Sequence, residues 1–111
     1  MESILTSVKK LLGYTKEQTD FDTDIIIHIN SALARLNLLG VGPKDGFSIQ
    51  DDIPIWEDFI EDNPKLNDVK TYVYLKVKLV FDPPSSASVV AAMERSIQEL
   101  EFCLNVTAES I

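Results

Sequence analysis

The chain is poor in the residues that build disulfide frameworks, metal sites and catalytic centres. Among its 111 residues there are one cysteine, Cys103, and one histidine, His28. A lone cysteine excludes an internal disulfide framework and a cysteine-rich zinc site, and it fits a reducing, intracellular setting. His28 has no cysteine or carboxylate at metal-ligand spacing, so we interpret it as a helix-surface residue. The sequence therefore predicts no enzyme, no cofactor and no metal ion.

Glycine and proline are also scarce, with four and five copies, and no run of about eighteen apolar residues occurs. We therefore predict no membrane-spanning segment, and the first residues lack the basic start and apolar run of a secretory signal. A composition of 45% hydrophobic and 25% charged residues is typical of a globular protein. At this length we expect a single domain over residues 1–111.

Negative charge dominates, because 18 acidic residues against 10 basic ones give a net charge of −8. The acidity is concentrated in residues 44–68, which contain eight acidic residues and two lysines. Such a surface argues against binding to a phosphate backbone, which needs clustered Lys and Arg. It fits either a solvated face that keeps the protein soluble or a binding site for a basic partner. The carboxylate pairs Glu57/Glu61 and Asp58/Asp62 would hold a cation only loosely, so we interpret them as solvated. They are the only support for an alternative function, a small enzyme with a carboxylate-bound metal.

Hydrophobic periodicity predicts an all-α fold, a small bundle of four helices joined by short connections, with an additional short lid helix. The predicted helices cover residues 2–12, 20–39, 64–81 and 85–104, and the lid covers residues 55–60. Gly13 lies where a left-handed C-terminal cap belongs. Residues 42–54 are predicted as an irregular loop, in which 46–49 can form a short extended piece, and residues 105–111 as a short polar tail.

The predicted third helix is apolar almost all round. Asn63 and Pro64 predict where it begins, and Asp82-Pro83-Pro84 predicts where it ends. Its main stripe consists of Leu66, Val69, Val73, Val77 and Val80, while Tyr72, Tyr74, Leu75, Leu79 and Phe81 fall outside that stripe. A helix of this kind must be covered on nearly all sides. We therefore predict that it is the hub of the bundle or that a neighbouring subunit covers part of it.

Two other predicted helices carry a second apolar face. The second helix has its main stripe at Ile25, Ile29, Ala32, Leu33, Leu36 and Leu39, and it places Ile27, Ala34 and Leu38 on the opposite side. The fourth has its stripe at Val89, Val90, Met93, Ile97, Leu100 and Leu104, with Phe102 pointing away. These second faces either pack on the first helix, the lid or the tail, or they form a subunit interface. The predicted interface consists of Ile27, Leu38 and Phe102 with some of Tyr72, Tyr74 and Leu79.

Three blocks of sequence occur in an order that is characteristic of a known family. They are Phe21-Asp-Thr-Asp-Ile with Ile29-Asn-Ser-Ala-Leu and Leu39-Gly-Val-Gly42, then Trp56-Glu-Asp-Phe59, then Lys70-Thr-Tyr-Val-Tyr-Leu-Lys-Val-Lys-Leu-Val-Phe-Asp-Pro-Pro84. Together they resemble the head–tail connector (adaptor, or head-completion) proteins of long-tailed bacteriophages and prophages, over about residues 2–104. The third block is the most specific, because a helix bearing tyrosine and lysine and ended by Phe-Asp-Pro-Pro is unusual.

The resemblance implies a structural protein without catalytic activity or cofactor. It implies a homo-oligomeric ring, usually of twelve copies, on the portal protein at the head–tail junction of the virion. Two states of the isolated protein fit this family: a ring, or a monomer that forms rings only at high concentration or on the portal. The ring would extend the DNA channel, which DNA crosses without specific binding, and offer its far side to a stopper or tail-completion protein. Assembly would take place in the cytoplasm of the bacterial host, without a membrane.

One competing function class follows from the acidic residues 44–68. The chain could be an acidic helical module of the DNA-mimic type that binds a basic protein as a monomer or dimer. Size-exclusion chromatography with light scattering separates the two classes, because only the connector is expected to form rings.

Overall fold

The computed structural model describes residues 2–60 and 66–109, with side chains described as far as residue 106. These described residues form five helices, α1 (Ile4–Leu12), α2 (Asp22–Leu38), α3 (Trp56–Phe59), α4 (Leu66–Phe81) and α5 (Ala87–Glu109). The described residues form no strand, and their one isolated β-bridge joins Ser3 to Ile55. The all-α prediction is therefore confirmed, with α3 as the short lid.

Helix α1 is delimited by two caps that the sequence encodes locally. The Ser3 hydroxyl accepts a hydrogen bond from the Thr6 N–H at 3.0 Å, so the helix begins at Ile4 and not at the predicted Glu2. Gly13 adopts the left-handed conformation with φ of 95°, as predicted, and its N–H binds the Lys10 carbonyl. Lys9 is buried, and its Nζ lies 2.8 Å from Asp22 Oδ1, which ties the end of α1 to the start of α2.

Helix α4 is the hub of the fold, as predicted, because it packs against α1, α2 and α5. Its buried residues are Val69, Tyr72, Val73 and Val77. Two positions differ from the predicted stripe: Tyr72 is buried because α5 packs on that side, and Val80 is 62% exposed in the last turn of the helix. The predicted start at Asn63 and Pro64 lies outside the described residues, as do Glu61 and Asp62.

Side chains of α2 hold the long connection between α2 and α3. The Asn30 amide donates to the Ile49 carbonyl at 2.9 Å and accepts from the Ile49 N–H at 2.8 Å. These two bonds replace the pairing that a strand would supply, so residues 46–49 remain irregular while the Ile49 side chain is buried. Asn37 Nδ2 likewise donates to the Pro43 carbonyl at 2.6 Å. The connection is therefore irregular, as predicted, but fixed in place.

The lid α3 closes the core from the side of α1. Trp56 and Phe59 are buried, and the Trp56 indole N–H donates to the Ser7 hydroxyl at 2.8 Å. Gly42 lies directly under this lid with φ of +92°, and a Cβ there would meet the Phe59 ring at 2.5 Å. The close approach of the connection to the lid therefore requires glycine at position 42.

Helix α5 is longer than predicted, because it continues to Glu109 where the sequence analysis placed a polar tail from Asn105. No glycine or proline interrupts residues 104–109. In addition, Asn105 Nδ2 donates to the Leu39 carbonyl at 3.1 Å and anchors this turn to the end of α2. The polar composition of the segment therefore does not mark a break in the helix.

Candidate interaction surfaces

Three predicted interface residues are strongly exposed. Ile27 and Leu38 on α2 are 55% and 77% exposed, and Phe102 on α5 is 69% exposed. The alternative that the protomer's own helices cover these side chains is therefore wrong. Large apolar side chains left in water on two helices are typical of a contact surface. Their role in an interface stays a prediction.

The other three predicted interface residues differ from these and from one another. Tyr72 is fully buried in the core of its own protomer, so the prediction that it faces outward is wrong. The reason is that α5 covers the side of α4 that carries Tyr72, where the sequence pattern alone left it outside the core stripe. Tyr74 and Leu79 are partly buried against the core, which leaves part of each side chain for a neighbour.

Phe102 lies beside a shallow groove on the outer side of α5. The groove has a volume of about 520 Å³ and is lined by Arg95, Gln98, Glu99, Phe102 and Cys103. Val106, one helical turn beyond Phe102, is 45% exposed and extends the apolar surface. An apolar anchor with a polar rim is the composition that protein interfaces favour. This groove is the most developed surface feature of α5.

An aromatic cluster joins α2, α4 and the α1–α2 connection, and the sequence analysis did not find it. Phe81 lies 5.7 Å from Phe21, 6.1 Å from Tyr14 and 6.4 Å from His28 between ring centroids, in edge-to-face arrangements. Phe81 lies far along the chain from the other three rings, so no spacing in the sequence signals the cluster. His28 is thus a half-buried packing residue on the surface of α2. Phe21, at 47% exposed, leaves part of the cluster in water.

A polar cluster at the junction of α2, α4 and α5 consists of Arg35, Tyr72 and Glu101, and we call it the Glu101 cluster. The Tyr72 hydroxyl donates to Glu101 Oε2 at 2.6 Å, and Arg35 Nη2 lies 3.4 Å from Glu101 Oε1. Burial alone would raise the pKa of Glu101, but hydrogen bonds from Tyr72 and Arg35 outweigh it and lower that pKa. Burial, together with the hydrogen bond to Glu101, raises the pKa of the Tyr72 hydroxyl. The cluster therefore favours a charged Glu101 that holds α5 to the other two helices.

The first half of α5 is less covered by the rest of the protein than the second half. Residues 87–96 include no buried residue, although Val89, Val90 and Met93 belong to the predicted apolar stripe. Val89 is 47% exposed, and Val90 and Met93 are half-buried. The stripe is buried only from Ile97 onward. The apolar face of residues 87–96 is therefore open to a partner.

The described residues contain no group of three or more His, Cys, Asp or Glu side chains placed to hold a metal ion. Within the same part of the chain, no helix combines the length and apolar character needed to cross a bilayer. What the surface does offer is apolar contact area on α2 and α5, and this points to protein–protein contacts.

Searches of curated proteins and of solved structures found no match. A family profile described as phage connector protein matches residues 4–110. Because this match covers nearly the whole chain, the chain belongs to the phage connector protein family, which has a structural role at the head–tail junction of the virion.

Proposed function

We propose that the chain assembles into a ring, of twelve copies in the virion, beneath the portal protein of a phage head. The ring extends the DNA channel, and its far side is the docking face for a stopper or tail-completion protein. The observation that carries this proposal is the exposure of Ile27, Leu38 and Phe102 on a chain of the phage connector family. The protomer leaves these apolar side chains in water, and contacts with neighbouring copies would cover them.

The positions of the exposed residues suit a ring better than a simple dimer. Ile27 and Leu38 belong to α2, whereas Phe102 and its groove belong to α5. Contact between two different patches is heterologous, and heterologous contacts close into rings when the rotation between neighbours allows it. In this arrangement Ile27 and Leu38 on α2 of one copy contact the groove beside Phe102 on α5 of the next copy.

The charge of the chain suits a channel through which DNA passes. Each protomer carries a net charge of −8, so a ring of twelve would collect about a hundred negative charges. A negative channel wall repels the phosphate backbone and leaves DNA free to slide. We therefore expect no retardation of duplex DNA by the purified protein in a gel at physiological salt. Micromolar, salt-sensitive binding of DNA would contradict the proposed channel wall.

The experiment that tests the ring combines light scattering with electron microscopy. Purified protein is measured over a range of concentrations, and portal-bearing capsids from the bacterial host are then mixed with it and imaged. We expect a monomer at low concentration, and rings at high concentration or on the portal vertex. A protein that stays monomeric or dimeric throughout and leaves the portal vertex bare contradicts the proposal.

A further inference from the structure

The longest helix described in the protein, α5, contributes few residues to its core for its length. Of the nineteen hydrophobic residues that are buried in the described part of the chain, only Ile97 and Leu104 belong to α5. The other seventeen lie on α1–α4 and the α2–α3 connection. Elements with few buried apolar contacts open at lower free energy than the core. Helices α1–α4 thus form a body, and α5 is an arm attached to it.

The contacts that hold α5 on the body lie far from the connection that links α5 to α4. The buried residues Ile97 and Leu104, Glu101 of the Glu101 cluster, and Asn105 on the Leu39 carbonyl all lie in the second half of α5. Residues 87–96, which follow the connection to α4, contain no buried residue. The half of the arm next to the connection therefore has no buried side chain of its own to expose if it leaves the body.

The connection between α4 and α5 has the composition of a hinge. It consists of residues 82–86, with Pro83 and Pro84 directly after Asp82. Consecutive prolines favour an extended and stiff backbone, and they remove two N–H donors that would otherwise continue a helix. A short, stiff connection between two packed helices favours exchange of the second helix between copies.

We infer that α5 is exchanged between neighbouring copies, so that the arm of one protomer packs on the body of the next; this inference rests on the proposed ring. The exchanged arm makes the same contacts as in the closed protomer, with Glu101 between Arg35 and Tyr72 and with Asn105 on the Leu39 carbonyl. An α-helix of 23 residues is about 34 Å long, close to the 35 Å and 40 Å extents of the protomer. The arm can therefore reach an adjacent body.

Exchange also gives the apolar first half of the arm a partner. In the closed protomer Val89 is 47% exposed, and Val90 and Met93 are half-buried. In the exchanged form the connection of residues 82–86 crosses from one body to the next directly before these residues, so two adjacent copies meet beside them. Burial of such side chains favours the exchanged form, and the high local concentration on a portal vertex favours it further.

The test uses opposite charge changes in the Glu101 cluster. In R35E and in E101R the arm and its own body carry like charges at this contact, so each variant alone disfavours its closed form. In an exchanged mixture the E101R arm meets the R35E body, and the R35E arm, with its native Glu101, meets the native Arg35 of the E101R body. We expect a 1:1 mixture to form at least tenfold more species containing both chains than either variant forms with itself, as measured by native mass spectrometry. The double variant R35E/E101R, in which the pair is restored within one chain, is the matched control and should behave like the wild type.

A mixture that assembles no more than its separate components overturns the exchange. If the wild type nevertheless forms rings on portal-bearing capsids, the proposed function stands and only the exchange fails. If R35E or E101R does not fold, amide hydrogen exchange of the wild-type protein tests the inference instead. We expect the amides of α5 to exchange as a block before those of α4, whereas common protection of both helices overturns the inference.

Discussion

Helices α4 and α5 carry similar apolar stripes but differ in how the protomer covers them. In α4 only Asn67, Thr71 and Val80 are exposed, because α1, α2 and α5 all pack against this helix. In α5, which is longer, the stripe is open over residues 87–96 and buried only at Ile97 and Leu104. A periodic stripe thus shows which side of a helix avoids water, but not whether the same chain provides the cover. Four sets of substitutions sharpen this comparison.

The largest effect is expected at the centre of α4. Val73 is fully buried, so Val73→Asp places an unpaired charge in the core and should cost several kcal/mol, enough to unfold the protein. Val89→Asp, on the open part of α5, is the matched control and should change stability by less than about 0.5 kcal/mol. Circular dichroism during urea titration measures both variants. A cooperatively folded Val73→Asp variant would overturn the assignment of α4 as the hub.

A smaller loss is expected from the attached half of α5. Leu104 is buried, so Leu104→Ala should destabilise the protein by about 2–4 kcal/mol through lost transfer energy and the resulting cavity. Val89→Ala in the open half should have almost no effect. Thermal melting of the two variants next to the wild type tests the difference. Equal losses at the two positions would contradict the division of α5 into an attached and an open half.

The third expected effect is a dependence of stability on pH. The hydrogen bonds from Tyr72 and Arg35 lower the pKa of Glu101 in the folded protein. Its contribution is therefore present above the unfolded value of about 4.3 and is lost as the pH falls through the lower folded value. Glu101→Gln should be less stable than the wild type at neutral pH, and the difference should shrink in acid. Urea titrations at several pH values measure it, and a gap that does not change with pH would contradict a charged Glu101 in the cluster.

The smallest effect on stability is expected at the exposed apolar residues. Phe102→Ser and Leu38→Ser should leave helix content and melting nearly unchanged, since both side chains already lie mostly in water. Assembly onto portal-bearing capsids should nevertheless fall. Leu11→Ser, at an exposed apolar position outside the proposed contacts, is the control and should assemble normally. Unfolding of the protomer by Phe102→Ser would place Phe102 in its own core and remove the interface prediction.

Local signals predicted the helices well. Gly13 ends α1, the apolar period locates α2 and α4, and Trp56 and Phe59 form the lid where the sequence placed it. The end of α5 was missed because polar residues after Leu104 suit both a tail and an exposed helix end. The bond between Asn105 and the Leu39 carbonyl, which joins residues 66 positions apart, distinguishes the two.

The contact surfaces were less predictable, for a physical reason. The helical period places Ile27, Leu38 and Phe102 away from the main stripes of their helices, but it left open whether other parts of the chain cover them. Whether Tyr72 is buried depends on where α5 crosses α4. The aromatic cluster around Phe81 depends on how three parts of the chain converge. Such relations arise from tertiary packing and leave no periodic trace.

The two hydrogen bonds between Asn30 and Ile49 determine how freely the sequence of the α2–α3 connection can change. The amide binds the backbone N–H and carbonyl of residue 49, and Asn37 binds the backbone carbonyl of Pro43. Helix α2 therefore binds the connection through main-chain atoms of the connection. Among residues 43–53, only the Ile49 side chain is buried. Phe47 packs against Phe59, and Gly46 has a φ of +91°, so these two positions are also constrained. Substitutions at the exposed positions of the connection leave the anchors intact, so its surface chemistry can change while the helices beneath it stay the same.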